Sequence, residues 1–464
     1  MAEGGVGRDE GFSRQAPVQW ENVSAETCSV LSWLGYGPEI IQARKDAYRE
    51  NERLFNAKFG RAATKIITGS KAEGLTSFLE SDRDNMLINN RVICLEDGVH
   101  AYIYPREITV LRSCNRMSYH GHCRLLLERR GTTIDSKVNN AFCDDGYGRE
   151  ILSSDLFVNN DVWNFINPEG MVRHERAGPS MPETIQGALH TDKVHALRYY
   201  CPNILSKWAT RPRHWPPPEA VQKVLSLGAF LTPVGFKGSE YQHVEWRVCF
   251  NTGEIELVNN LNEIQIKLYV LLKMVKNDVL NPRKKEVTSY TLKNIVLWIA
   301  ENNHQSLFHE RSLLHWLHEG LDALRFALVT RELPYYMIPD RNLMAACELE
   351  EAQQRTWIST ISEMMNEGPR MILRLSKIRQ ALIGHPEPFR WYNTRRMGLE
   401  LLHLIEMNRL VVCTDENWVC DETDVILQAL DRRKKEIVRE VRLRMIMEGS
   451  RVSSSTGVNV RMLM

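Results

Sequence analysis

Neither sign of charge dominates this 464-residue chain: 59 Lys and Arg stand against 58 Asp and Glu. Net charge therefore cannot draw it to a polyanion, and any nucleic-acid surface must come from segregated charge. Long hydrophobic runs are missing as well. Segments such as NIVLWIA fall far short of the roughly 18 apolar residues of a membrane span, so a span is excluded. The opening MAEGGVGRDEGF has no basic stretch followed by an apolar core, so no secretory signal is expected. Ten cysteines lack paired spacing, which points to reduced thiols and a cytoplasmic location. No internal repeat is present. One tempting metal motif, HGHC at His120, His122 and Cys123, has ligands too close together to close a tetrahedron and no second half. It reads as a loop ending in a buried Cys.

Hydrophobic residues make up 43% of the chain, enough for a large core divided between two lobes. Residues 1–35 are expected to be a flexible N-terminal segment, polar and Gly-rich over the first 20 or so. GYGPEIIQARKDAYRENERLFNAKFG then has the form of one long helix. Gly35, Gly37 and Pro38 mark its start, Gly60 its end, and Ile40, Ile41, Ala47, Leu54 and Phe55 give it an apolar side. Short runs of strand character follow: TKIIT, NMLIN, RVICLEDG, AYIYPREITVL and CRLLLER. From about residue 255 the pattern turns helical. The fold expected is α+β and bilobal. It has a mixed sheet lobe with a long spine helix (36–250), a helical lobe (251–345) and a further helical extension with a mobile tail (346–464).

The stretch GSKAEGLTSFLESDRDNML, Gly69 to Leu87, carries the chemistry. Alternate residues of a strand share a face, so Asp82 and Asp84 are expected to point the same way. Two such carboxylates repel unless cations separate them. Magnesium fits, because it takes oxygen ligands and is shared with substrate phosphates. Two ions could stabilise both the attacking and the leaving oxygen of a phosphoryl transfer. Gly69 and Ser70 supply an unhindered turn that lets backbone N–H groups approach a phosphate. A third acid is needed from a neighbouring strand. The residues alone leave Asp192, Asp155 and Asp161 open.

Six landmarks occur in order: GSKAEGL with SDRDNML, TDKVHALRYYCP, VEWRVCFNTGEIELV, LLKMVK, VTSYTLKNIVLW and LPYYMIPDRNLM. In them, residues 35–345 resemble cyclic GMP-AMP synthase and its relatives, the animal Mab-type nucleotidyltransferases, in an invertebrate-like form. The resemblance implies a nucleotidyltransferase fold and a Mg²⁺ or Mn²⁺ site at Asp82, Asp84 and Asp192. It also implies nucleotide contacts at Thr68, Gly69 and Ser70 in the turn, and at Arg247, Asn251 and Glu254 for the acceptor. Lys273 would meet the triphosphate, and Ser289, Tyr290 and Lys293 the donor base.

The implied activity makes cyclic GMP-AMP from ATP and GTP in antiviral innate immunity. A ribose hydroxyl attacks an α-phosphorus, pyrophosphate leaves, and Asp192 helps remove the proton. A catalytically silent scaffold of the same family and a linear oligoadenylate-type synthase are the rivals. Two departures stand out. Arg83 and Asn85 replace the family's apolar residues beside the acids, and both are expected to face away from the metal. The zinc loop that grips DNA in the vertebrate enzyme is absent, since no Cys or His lies between Cys249 and the Lys273 helix. Zinc is therefore not expected, and double-stranded RNA is favoured over DNA as activator. Arg44, Lys45, Arg49, Lys284 and Lys285 are the expected phosphate contacts. The 346–464 extension, with seven Arg and Lys against four acids over 431–448, is expected to be dispensable for chemistry.

Overall fold

A computed structural model describes residues 16–60, 63–133, 135–159, 170–185, 187, 189–281, 286–345, 347–415, 419–450, 454, 457–459 and 462. Lys284, Lys285, Asp161 and most of the tail lie outside the described residues, as do the first 15 positions.

The spine helix spans Pro38–Phe59, with Pro38 pre-set for its first turn and Gly60 just past its end. Eleven strands are seen among the described residues. They are β1 (Ala63–Thr68), β2 (Arg83–Leu95), β3 (Thr109–Cys114), β4 (His122–Arg129), β5 (Phe142–Asp144), β6 (Glu150–Leu152), β7 (Met171–Arg173), β8 (Ser180–Ile185), β9 (Leu189–Tyr200), β10 (Ala229–Thr232) and β11 (Glu245–Cys249). The main path runs β1-β2-β3-β4-β11-β10-β9-β8-β7, and β2 also pairs with β9, so the sheet curls back on itself. β2 is parallel to β3 and to β9, whereas β1 lies antiparallel to it.

NMLIN and RVICL, expected as separate strands, are one strand, β2, with a register shift between Asn89 and Ile93. AYIYPREITVL is strand only from Thr109; Ala101–Ile103 is a 3₁₀ turn, and Pro105 cannot donate to a ladder. Met86, Ile88, Ile66, Ala196 and Phe230 form an apolar cluster beyond the acids. The opposite face carries Ile67 against Tyr48 of the spine.

The expected flexible segment 1–35 contains a helix, Ala16–Leu31, in which Cys28, Val30 and Leu31 are buried in the main core. Those apolar side chains near its end outweigh the polar start of the chain. After β11 the chain is helical: Asn251–Asn259, Glu263–Val275, Ser289–Asn302, Leu313–Thr330 and Glu351–Asn366. The 345/346 boundary does not separate packing units. Trp357, Ile361 and Met364 belong to the same core as the preceding helices, and Trp357 Nε1 donates to Leu280 O at 3.0 Å. The extension continues as Ser376–Gly384, Phe389–Cys413 and Val425–Met447. Helix Phe389–Cys413 packs along the spine, where Leu404 and Met407 meet Tyr48 and Ile67.

Candidate active site

A four-residue helix, Gly69–Ala72, turns the chain out of β1 and toward the acids. Gly69 has φ +67°, and a Cβ there would collide with Asp84 Oδ2. Only glycine lets the turn lie so close to that carboxylate. Thr68, at the end of β1, pairs in register with Asp84, and Asp84 pairs with Asp192 of β9. The row Thr68–Asp84–Asp192 thus crosses three neighbouring strands. Asp192 was one of three open choices for the third acid by residue type alone.

Asp82 lies just outside the ladder: it precedes β2 and is exposed, yet it is near enough for its charge to act on Asp84. Among the described residues no three His, Cys, Asp or Glu side chains are grouped so as to hold a metal ion. That applies to HGHC as well: His120 is exposed, while His122 and Cys123 are buried at the start of β4. The carboxylates still form a donor set of the right chemistry for a hard divalent cation. Burial, then the like charges of Asp192 and Asp82, push Asp84 up to about 7. A cation between these groups would relieve a repulsion the fold already contains.

A cavity of about 290 Å³ opens beside the acid row. It brings together Thr68, Gly69, Ser70, Asp84, Arg247, Asn251, Glu254, Ser289, Tyr290 and Lys293. Asp82, Asp192 and Lys273 are not among the residues that line it. Lys273 sits just behind the turn, where its Nζ donates to Ser70 Oγ at 3.2 Å and to Leu75 O at 3.3 Å. Burial lowers its ammonium to about 8. Asn85, expected to face away, borders the cavity. Arg83 does face away: its guanidinium lies 5.6 Å from the Tyr48 ring centre and reaches Met407 Sδ.

Glu254, Tyr290 and Lys293 are tied to one another rather than left open. Tyr290 Oη donates to Glu254 Oε1 at 2.9 Å, and Tyr335 Oη does so at 2.7 Å. Lys293 Nζ lies 2.6 Å from Glu73 Oε1 and 3.3 Å from Glu254 Oε2. Although burial alone would lower its ammonium, those two carboxylates hold it above its ordinary value. Sequence reasoning missed Glu73 and Tyr335. Glu73 is fully buried inside GSKAEG, and an acid in an otherwise small, turn-forming motif was the available signal.

The expected phosphate contacts on the spine are corrected in part. Arg44 is buried, and its Nε and Nη2 form a bidentate pair with Glu400 at 2.8 Å on each arm. It cannot offer a free charge to nucleic acid. Lys45 is also buried, whereas Arg49 is exposed. Many cations of helix Val425–Met447 are likewise engaged, as in Lys434–Glu406, Lys435–Asp431 and Arg444–Glu448.

Residues 264–361 match the family model of the Mab-21 protein HhH/H2TH-like domain. That stretch is similar to a Mab-21-type C-terminal helical domain, from a family related to nucleotidyltransferases, and the mixed sheet with a helical lobe is compatible with that relation. The match crosses the 345/346 boundary and covers none of the sheet that bears the acids. No curated protein matches the chain. Among the described residues no helix is long and apolar enough to cross a membrane.

Proposed function

We propose that this chain is a divalent-metal-dependent nucleotidyltransferase. It would join ATP and GTP into cyclic GMP-AMP when a double-stranded nucleic acid, RNA in preference to DNA, is bound. What carries the reading is the pairing of Asp84 with Asp192 beside the Gly69–Ser70 turn, at the edge of a cavity lined by the expected nucleotide residues. Asp84 and Asp192, joined by Asp82 on substrate binding, would hold Mg²⁺ or Mn²⁺. When bound, such ions neutralise triphosphate charge and lower the cost of the developing negative charge. The turn amides and Ser70 orient the phosphates, with Lys273 behind them as counter-charge. Tyr290 offers a stacking face to the donor base. Arg247 and Asn251, which also line the cavity, position the acceptor. Its ribose hydroxyl attacks the α-phosphorus, the bond to pyrophosphate breaks, and Asp192 takes the proton; a second such attack within the linear product closes the ring and releases a second pyrophosphate. Positioning and charge neutralisation supply most of the rate.

A second reading is a silent, nucleotide-binding member of the same family. It is favoured by the self-pairing of Lys293, Glu254 and Glu73 and by the exposed position of Asp82. One experiment separates the readings. The full chain is incubated with ATP, GTP or both, with Mn²⁺ or Mg²⁺, with and without double-stranded RNA or DNA, and products are separated by chromatography. A product needing both nucleotides supports the cyclic reading, and one from ATP alone supports a linear oligoadenylate. Nucleotide binding without product under any trigger supports the silent protein.

A further inference from the structure

We propose that Lys377, in the helical extension, is a positioning residue for the acid site: through Glu80 it holds the loop that carries the chain from the Gly69–Ser70 turn to Asp82. This role rests on the metal-site reading above. The loop between the four-residue helix and β2 has little regular structure of its own. Besides short-range turn bonds such as Leu75 N to Ser70 O and Glu80 N to Ser77 O, its geometry comes from side chains that capture its backbone groups.

Three ties do so. Lys71 Nζ donates to Phe78 O at 2.9 Å and also to Ser77 O. Arg44 Nη1 donates to Gly74 O at 3.2 Å. Glu80 accepts from Ser77 N at 2.9 Å and from Ser77 Oγ at 3.3 Å, closing the loop on itself two residues before Asp82. Glu80 is anchored in turn from outside the loop. Tyr36 Oη donates to it at 3.1 Å, and Lys377 Nζ donates at 2.5 Å. Two of these anchors depend on the extension, Lys377 directly and Arg44 through Glu400. The extension, expected to be dispensable for chemistry, therefore grips both ends of the loop that delivers the acid.

The side chain of Lys377 is 41% exposed and borders a cavity of about 590 Å³ between the extension and the loop. Replacing it leaves no void in a packed core.

The test compares the full chain with Lys377→Met, Lys377→Arg and Asp84→Asn. Two readouts are used: hydrogen exchange over residues 73–82, and Mn²⁺ titration followed by electron paramagnetic resonance. In Lys377→Met, exchange across 77–82 is expected to rise roughly tenfold, the scale of one charge-assisted hydrogen bond. Exchange in helix Ser289–Asn302 should not change. Mn²⁺ affinity should fall several-fold with only a small loss of Tm, because the pair is partly exposed, and Lys377→Arg should restore both readouts. Unchanged loop exchange in Lys377→Met overturns the inference whatever the metal result. Faster exchange with unaltered Mn²⁺ affinity also overturns it, provided wild type binds Mn²⁺ and Asp84→Asn does not. If wild type and Asp84→Asn bind Mn²⁺ equally, or neither binds, the metal-site reading fails and the positioning role with it.

Discussion

Asp84 and Asp192 face each other in register on parallel neighbouring strands. Adjacent strands lie about 4.8 Å apart, so the fold sets two acids at close quarters beside a turn whose glycine admits no side chain. Such an arrangement costs folding free energy in the absence of a cation, and that cost is measurable.

Asp84→Asn is expected to raise Tm in chelator-treated buffer at pH 8. Burial and the neighbouring acids push Asp84 up to about 7 in the folded chain, against an ordinary value of 3.8. Between those values the folded state binds more protons than the unfolded state, so stability falls as pH rises through the interval. The variant lacks this penalty. Its advantage should be largest at pH 8 and vanish near pH 4. Added Mn²⁺ should then raise the Tm of wild type only. Thermal melts across this range check both points, and a variant no more stable than wild type at pH 8 contradicts the electrostatics.

Gly69→Ala is expected to abolish product formation and weaken Mn²⁺ binding. Its φ of +67° already disfavours any side chain, by about 1 kcal/mol or more. The new methyl would also displace Asp84 Oδ2. Gly98 has φ +83° with open space where a methyl would stand, so Gly98→Ala carries the backbone cost alone and serves as control. Equal activity in the two variants would show that the close approach is unimportant.

Glu400→Gln is expected to destabilise the chain by about 3–5 kcal/mol, because it strands the buried Arg44 guanidinium without a counter-charge. Arg44→Met combined with Glu400→Leu should recover much of that loss. Urea denaturation of wild type and the two variants tests this; a cost below ~1 kcal/mol, the range of exposed pairs, would mean the pair is solvated in solution.

Much of the sheet lobe was legible because local signals were strong. The spine helix runs without interruption between Gly37 and Gly60, and TKIIT and CRLLLER are apolar and short. What local pattern cannot reveal is pairing between distant segments. Arg44 has the look of a surface cation on an amphipathic helix, yet its partner lies 356 residues away. Asp192 was one acid among three until the β2–β9 register placed it opposite Asp84. Asp82 lies one residue before the strand begins, so its position depends on the loop rather than on the ladder alone. Lys293 and Tyr290, expected as nucleotide contacts, line one cavity, but their link to Glu254 depends on two helices meeting, which neither helix encodes alone.

Truncation after residue 346 is expected to give misfolded or aggregated protein rather than a functional minimal enzyme. The cut removes Trp357, Ile361 and Met364 from the main core, each 4% exposed or less. A buried side chain of this size contributes about 1.5–3 kcal/mol, so these three alone approach the whole stability of an average domain. The cut also removes Glu400 from Arg44 and Lys377 from Glu80, leaving one cation buried and the loop to Asp82 untied. Size-exclusion chromatography with light scattering, followed by melting curves, tests the expectation. Soluble, monodisperse truncated protein with a wild-type Tm would show that the extension is an appendage. If that protein also bound Mn²⁺ as tightly as the full chain, the grip of Lys377 on the acid loop would be refuted by a second route.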